Sequence, residues 1–131
     1  MSHSKLETLA RSVLMDMPDP SRRAHALGLM TEDATWWIPG IGTLDKGELT
    51  DVLAHADTLK KAPTKLTIAG ITLGESRIAL ECESHTELAK GGHMTLWLHF
   101  LLKERDGLIC EVKEYVDTLA MAEALGGTSI L

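Results

Sequence analysis

Aromatic side chains are scarce in this chain, at 4% of 131 residues, and cysteine occurs only at Cys82 and Cys110. Two cysteines cannot build a disulfide framework. The strand pattern developed below puts them on strands separated by another strand, roughly 9–10 Å apart, too far for a bridge. Both read as buried small hydrophobes. Long apolar runs are missing too: none approaches the roughly 18 residues needed to span a bilayer, and the opening stretch has no uninterrupted apolar core of the signal-peptide kind. These absences predict a cytoplasmic protein with no membrane partner. Basic clusters are confined to Arg22-Arg23 and Lys60-Lys61, and 19 acids against 13 bases leave a net charge of −6. That balance argues against nucleic acid and favours a small molecule or another protein as partner.

What is present is an ordinary globular composition, 44% hydrophobic, on a length that fits one domain spanning residues 1–131. Ser4 and Glu7 have capping-box spacing, and Leu6, Leu9, Ala10, Val13, Leu14 and Met17 then recur at helical period up to Pro18. Asp19-Pro20 opens a second helix through Ala24, Leu27 and Met30, ended by Thr31-Glu32-Asp33. A short strand, Ala34 to Ile38, runs into Pro39-Gly40. Asp45 and Glu48 form another capping box, starting a helix that buries Leu49, Val52, Leu53, Ala56 and Leu59 and stops before Pro63.

From Thr64 the period changes to two. Runs at about 64–74, 77–88, 93–104 and 108–117 read as strands joined by short links, hence as antiparallel hairpins. A last helix follows, from the cap candidate Thr118 to Leu125, ending at Gly126-Gly127. On the second, third and fourth runs the even-numbered positions form the purer apolar face: Cys82, Ser84 and Thr86, then Leu96, Leu98 and Phe100, then Val112 and Val116. Glu114 breaks that last series.

Register must keep apolar faces together, because a one-residue slip turns a strand inside out. A three-residue loop at Arg105-Asp106-Gly107 does so, setting Glu114 beside Leu98 and Tyr115 beside Trp97. Centring the preceding hairpin on Gly91 sets His85 beside Trp97 and Glu83 beside His99. The outer face then carries His85, Trp97, His99 and Tyr115, an aromatic patch of the kind enriched at interfaces, which predicts a homodimer. A metal reading of His85, His99, Glu83 and Glu111 lacks compact ligand spacing. No metal is assigned.

The segment Glu32-Asp33-Ala34-Thr35-Trp36-Trp37-Ile38-Pro39-Gly40, the run Ala79 to His85, and Asp106-Gly107-Leu108-Ile109 leading to Glu114-Tyr115-Val116-Asp117-Thr118 resemble the SnoaL-like branch of the NTF2-like superfamily. That superfamily includes ketosteroid isomerase, limonene-epoxide hydrolase and polyketide cyclases. The resemblance implies an α+β, cystatin-like cone-shaped barrel, with N-terminal helices packed on a curved antiparallel sheet, commonly dimeric, with a small-molecule pocket between them. It implies no cofactor. The isomerase's acids and tyrosine fall at Ile38, Leu98 and Leu14, all apolar here. Of the hydrolase's constellation only the acid matches, at Glu114. Its first-strand positions read Trp36 and Ile38, and its accompanying Arg and Asp fall near Cys82 and Ser84.

The expected pocket is therefore lined by Trp36, Ile38, Cys82, Ser84, Thr86, Leu96, Leu98, Phe100, Val112 and Val116 around Glu114. A carboxyl group in such surroundings loses solvation and its pKa rises, which suits a lone general acid or base; a structural acid bonded to a buried polar group fits the same pattern. Trp36 either stacks on a ligand or fills the core. Two functions stay open: a cofactor-independent lyase, isomerase, hydrolase or cyclase acting through Glu114 on a small hydrophobic substrate, or a non-catalytic ligand-binding or dimeric association module of the same fold.

Overall fold

The structure, a computed structural model, describes residues 1–125. Helices α1 (His3–Asp16) and α2 (Arg23–Gly28) lead into strands β1 (Met30–Ile38) and β2 (Gly42–Leu44). Helix α3 (Lys46–Asp57) follows, then strands β3 (Lys65–Leu73), β4 (Arg77–Glu87), β5 (His93–Arg105) and β6 (Leu108–Val116), and helix α4 (Thr118–Ala124). The six strands form one sheet in the order β2-β1-β6-β5-β4-β3. It is curved and does not close. No helix among the described residues is long and apolar enough to cross a membrane.

The sheet is mixed rather than wholly antiparallel, because β1 pairs with β6 in parallel, Trp36 lying opposite Val112. The intervening chain of α3 and three meandering strands is long enough for the crossover that a parallel pair requires. Register shifts interrupt β1 between Met30 and Thr35, β3 between Ile68 and Gly70, and β5 against β6 after Lys103. Such bulges bend strands and raise local twist. The concave face they produce receives the helices: α1 packs on β3, β4 and β6, α3 on β1 and β2, and α4 on β5.

Local chemistry sets the helix ends. Asp45 accepts from Glu48 N at 2.8 Å while the Glu48 carboxylate accepts from Asp45 N at 3.1 Å, so the expected capping box of α3 forms. The one expected at Ser4 does not. Ser2 caps α1 instead, accepting from Lys5 N at 3.2 Å, and Glu7 pairs with Arg11 one turn on. Asp19 bonds the Ser21 amide and hydroxyl at 2.9 and 2.8 Å, building a turn ahead of α2 rather than its cap. α2 ends at Gly28, and Met30 begins a strand, opposite Ile109, that is longer than expected; β2 was not foreseen. Asp117, not Thr118, caps α4 by accepting from Ala120 N at 3.0 Å. The expected helix end at Gly126-Gly127 lies outside the described residues.

Both hairpin registers differ from expectation by two residues. The β5–β6 turn is the two-residue type: Asp106 and Gly107 have φ of 53° and 84° between the paired Arg105 and Leu108. That turn alone would split the apolar faces, but Cys110 is extra in β6, and its bulge restores them. Glu114 thereby faces Phe100 and Tyr115 faces His99. The β4–β5 hairpin is centred on Lys90, with Gly91 and Gly92 at positive φ, so His85 pairs with Thr95 and Trp97 with Glu83. As the bulge residue, Cys110 is half-buried, unlike the fully buried Cys82.

One polar clamp ties the helical layer together. Arg23, itself buried, reaches both carboxylate oxygens of Asp57 at 2.8 and 2.9 Å and donates to the Met17 carbonyl at 2.9 Å. It joins the ends of α1 and α3 through α2. Removing one member strands the other charge in a low-dielectric place. Arg23→Met is expected to destabilise the fold by about 3 kcal/mol, the lower end of the buried range because Asp57 keeps 24% exposure. Urea denaturation would measure the loss, with Arg11→Met, at an exposed pair, as a control expected to change stability by under ~0.5 kcal/mol.

Candidate functional site

The concave face, α1, α3 and α4 line a half-open cavity of about 150 Å³. Its wall is apolar almost throughout. Leu14 comes from α1, Leu49, Val52, Leu53 and Ala56 from α3, Trp36 and Ile38 from β1, and Leu96, Leu98 and Phe100 from β5. Five polar side chains interrupt it: Lys60, Thr64, Ser84, Thr86 and Glu114. Thr64 and Thr86 share a hydroxyl hydrogen bond of 2.8 Å, which leaves Ser84, Lys60 and Glu114 as the more available groups.

Glu114 enters through alternation along β6, with Val112 and Val116 two residues to either side facing the same way. Its Oε1 accepts from the Trp36 indole Nε1 at 3.1 Å. The Trp36 ring stands edge-on to Phe100, centroids 6.3 Å apart at 76°. Desolvation pushes the Glu114 carboxyl from 4.5 up to about 7, against the opposing pull of the Trp36 hydrogen bond and the Lys60 charge. Near neutral pH it therefore exists as both acid and carboxylate. Lys60 is moved downward by its own desolvation; Asp57 opposes this, Arg23 adds to it, and Glu114 opposes it.

Of the residues expected at the site, Trp36, Ile38, Ser84, Thr86, Leu96, Leu98, Phe100 and Glu114 are on the cavity wall. Cys82 and Val112 are not. Both are fully buried in the main core, and Val116 packs beside the core clusters without lining the cavity. Inward direction alone does not make a wall residue, because helices pack directly on parts of the concave face. Lys60 was missed, having been read only as half of a basic pair. Its signal was the α3 stripe, since 49, 52, 53 and 56 continue to 60 at helical spacing, and turn-like bonds carry the coil past Asp57.

The outer face carries aromatics in a different arrangement from the expected stripe. Trp97 and Tyr115 are 61% and 45% exposed. Tyr115 leans on Trp37 with ring centroids 5.1 Å apart and on His99 at 6.4 Å. His85 is bonded to Glu83, which lies opposite Trp97, at 2.6 Å and to Thr95 at 3.2 Å.

No family model matches the chain, and no curated protein matches it by sequence. Solved structures do. A putative hydroxylase, AclR, from Streptomyces galilaeus superposes with a TM-score of 0.80 at 13% identity, covering 98% of this chain and 89% of its own. An NTF2-like protein from Anabaena variabilis gives 0.76 at 17% identity over 89% and 94%. The chain has the NTF2-like fold. TerC, co-crystallized with polyporic acid, extends the likeness at 0.78 and 21% identity over 93% and 98%. The NTF2-like cone is here an open one, its sheet ending at β2 on one side and β3 on the other. The cavity lies between the helices and the concave sheet.

The raised carboxyl gives stability a definite pH slope. Between about 4.5 and 7 the folded chain holds a proton on Glu114 that the unfolded chain releases, so this group's contribution declines as pH rises through that window. Glu114→Gln is expected to flatten that part of the stability profile and to raise Tm at pH ~8. Melting curves across the range check it, and an unchanged slope would refute the burial argument.

Proposed function

We propose that the cavity binds a small, largely apolar molecule and that Glu114 transfers a proton on it, as a cofactor-independent lyase, isomerase, hydrolase or cyclase. The observation that carries this reading is a carboxyl group shifted to about 7 on an otherwise apolar wall. A group with a pKa near the working pH gives and takes protons with the least penalty either way. The site also supplies more hydrogen-bond donors than sequence reasoning found. The Trp36 indole orients Glu114, while Ser84 and Lys60 line the same space and are the candidates to stabilise charge that develops on a substrate oxygen. Co-crystallization of TerC with polyporic acid supports a small-molecule role for a cavity of this fold.

A volume of about 150 Å³ suits a ligand of roughly one six-membered ring, since an apolar cavity of about that size accepts benzene. Non-catalytic binding of such a ligand is the alternative, favoured by the direct Trp36 bond that already satisfies one Glu114 oxygen. Turnover separates the two. Once a substrate is found, Glu114→Gln is expected to lower kcat at least about 100-fold with ligand affinity changed less than about threefold. Retained turnover would leave only the binding role.

The same proposal includes a cytoplasmic homodimer, the location in keeping with two free thiols. Trp97, Tyr115, His99 and Trp37 form an amphipathic patch on the convex face, suited to a second copy. Light scattering at micromolar concentration should give twice the chain mass, and Trp97→Glu should halve it. A monomeric parent chain, or a dimer indifferent to that change, would exclude this interface.

A further inference from the structure

Lys60 occupies an unusual setting. It follows the end of α3, where Leu59, Lys60 and Lys61 are fastened to the far end of β4 and its turn. Lys60 bridges to Leu88, Lys61 N donates to the Glu87 carbonyl at 2.9 Å, and Ala89 N donates to the Leu59 carbonyl at 2.9 Å. Backbone bonds on both sides hold the residue against the cavity, whose wall it joins beside apolar Leu59 and Leu88. A lysine side chain is costly to keep beside apolar surface unless its ammonium has water or a partner. Among the described residues no carboxylate lies within salt-bridge distance of it.

The charges nearest to it do not cancel it. Asp57 is held by both guanidinium nitrogens of Arg23, so that acid is already matched. Glu114, the one acid on the cavity wall among the described residues, is largely neutral below pH 7. The balance is one positive charge carried by a residue of the wall of an apolar, ring-sized space.

We propose that Lys60 makes this cavity selective for small acids, receiving the carboxylate or phenolate oxygen of a ligand whose apolar body rests on Trp36, Leu98 and Phe100. This rests on the small-molecule reading of the cavity and deepens it by naming the ligand class. An acidic oxygen at Lys60 completes an ion pair in partly desolvated surroundings, where charge-assisted bonds are strongest. It leaves Glu114 free to act on a neighbouring atom of the same ligand.

Benzoate and benzyl alcohol test this directly. They share a ring of suitable size and differ in one oxygen-bearing group, and the Trp36 indole N–H resonance reports occupancy of the wall. At about pH 6, where benzoate is ionised and Glu114 mostly protonated, the wild-type chain should bind benzoate at least about tenfold more tightly. Lys60→Met keeps the length of the stem and removes the charge; it should bring the two affinities within about threefold while still binding benzyl alcohol. Lys60→Gln is a second neutral variant for the same comparison, should the first fail to fold. Equal affinities in the wild type, or a preference that survives in the neutral variants, would overturn the assignment to Lys60. A wild-type cavity that takes up neither probe would overturn the small-molecule reading itself, and this one with it.

Discussion

The hydrogen bond from the Trp36 indole to Glu114 joins residues from the two strands that run parallel, and it governs both the wall and the chemistry of the cavity. A carboxyl taken out of water needs a donor, and a buried indole N–H needs an acceptor. Each satisfies the other. The bond is within reach only because β1 lies against β6 with Trp36 opposite Val112, two residues short of Glu114. Phe100, paired with Glu114 across β5, supports the indole ring edge-on, so one contact sets the carboxyl direction and the shape of the space beside it.

The helical side is braced by different means. Arg23 gathers the Met17 carbonyl and the Asp57 carboxylate, fixing the ends of α1 and α3. Met17, Pro18 and Lys60, which sit beside that clamp in the chain or in space, all line the cavity. The cavity therefore lies between a sheet held by strand pairing and helices held by an ion pair. Empty space in such a position survives because neither layer can collapse onto it without breaking its own bonds.

Much of this was legible in the chain. Period-two alternation located β3 to β6 to within a residue or two, and parity alone directed Glu114, Ser84, Thr86 and Phe100 inward. Caps were harder to read, because Ser2 and Ser4, or Asp117 and Thr118, offer equivalent oxygens to the same helix start and only backbone geometry chooses between them. The registers were missed for a related reason. Turn length and bulge position trade against each other, so a three-residue loop and a two-residue turn with Cys110 bulged satisfy the same parity while pairing different residues. Lys60 escaped notice because a charged residue at the end of an apolar stripe reads as a solvated terminus. Its half-burial follows from the turn after α3 meeting the residue after β4, and only the helical spacing of the α3 stripe pointed to it.

Cys110 shows how little separates the two faces of β6. The residues after it alternate between the concave and convex sides of the sheet: Val112 into the core and Glu114 to the cavity, Lys113 and Tyr115 outward. The bulging of Cys110 out of the ladder sets the frame of that alternation. Pairing this residue into the ladder, with the turn at Asp106-Gly107 in place, would exchange the two series, setting Tyr115 opposite Leu98 in the apolar interior and Glu114 opposite His99 on the outer face. The identity of the cavity's acid is thus an indexing property of the strand, set by whether a residue that never touches the cavity is bulged or paired.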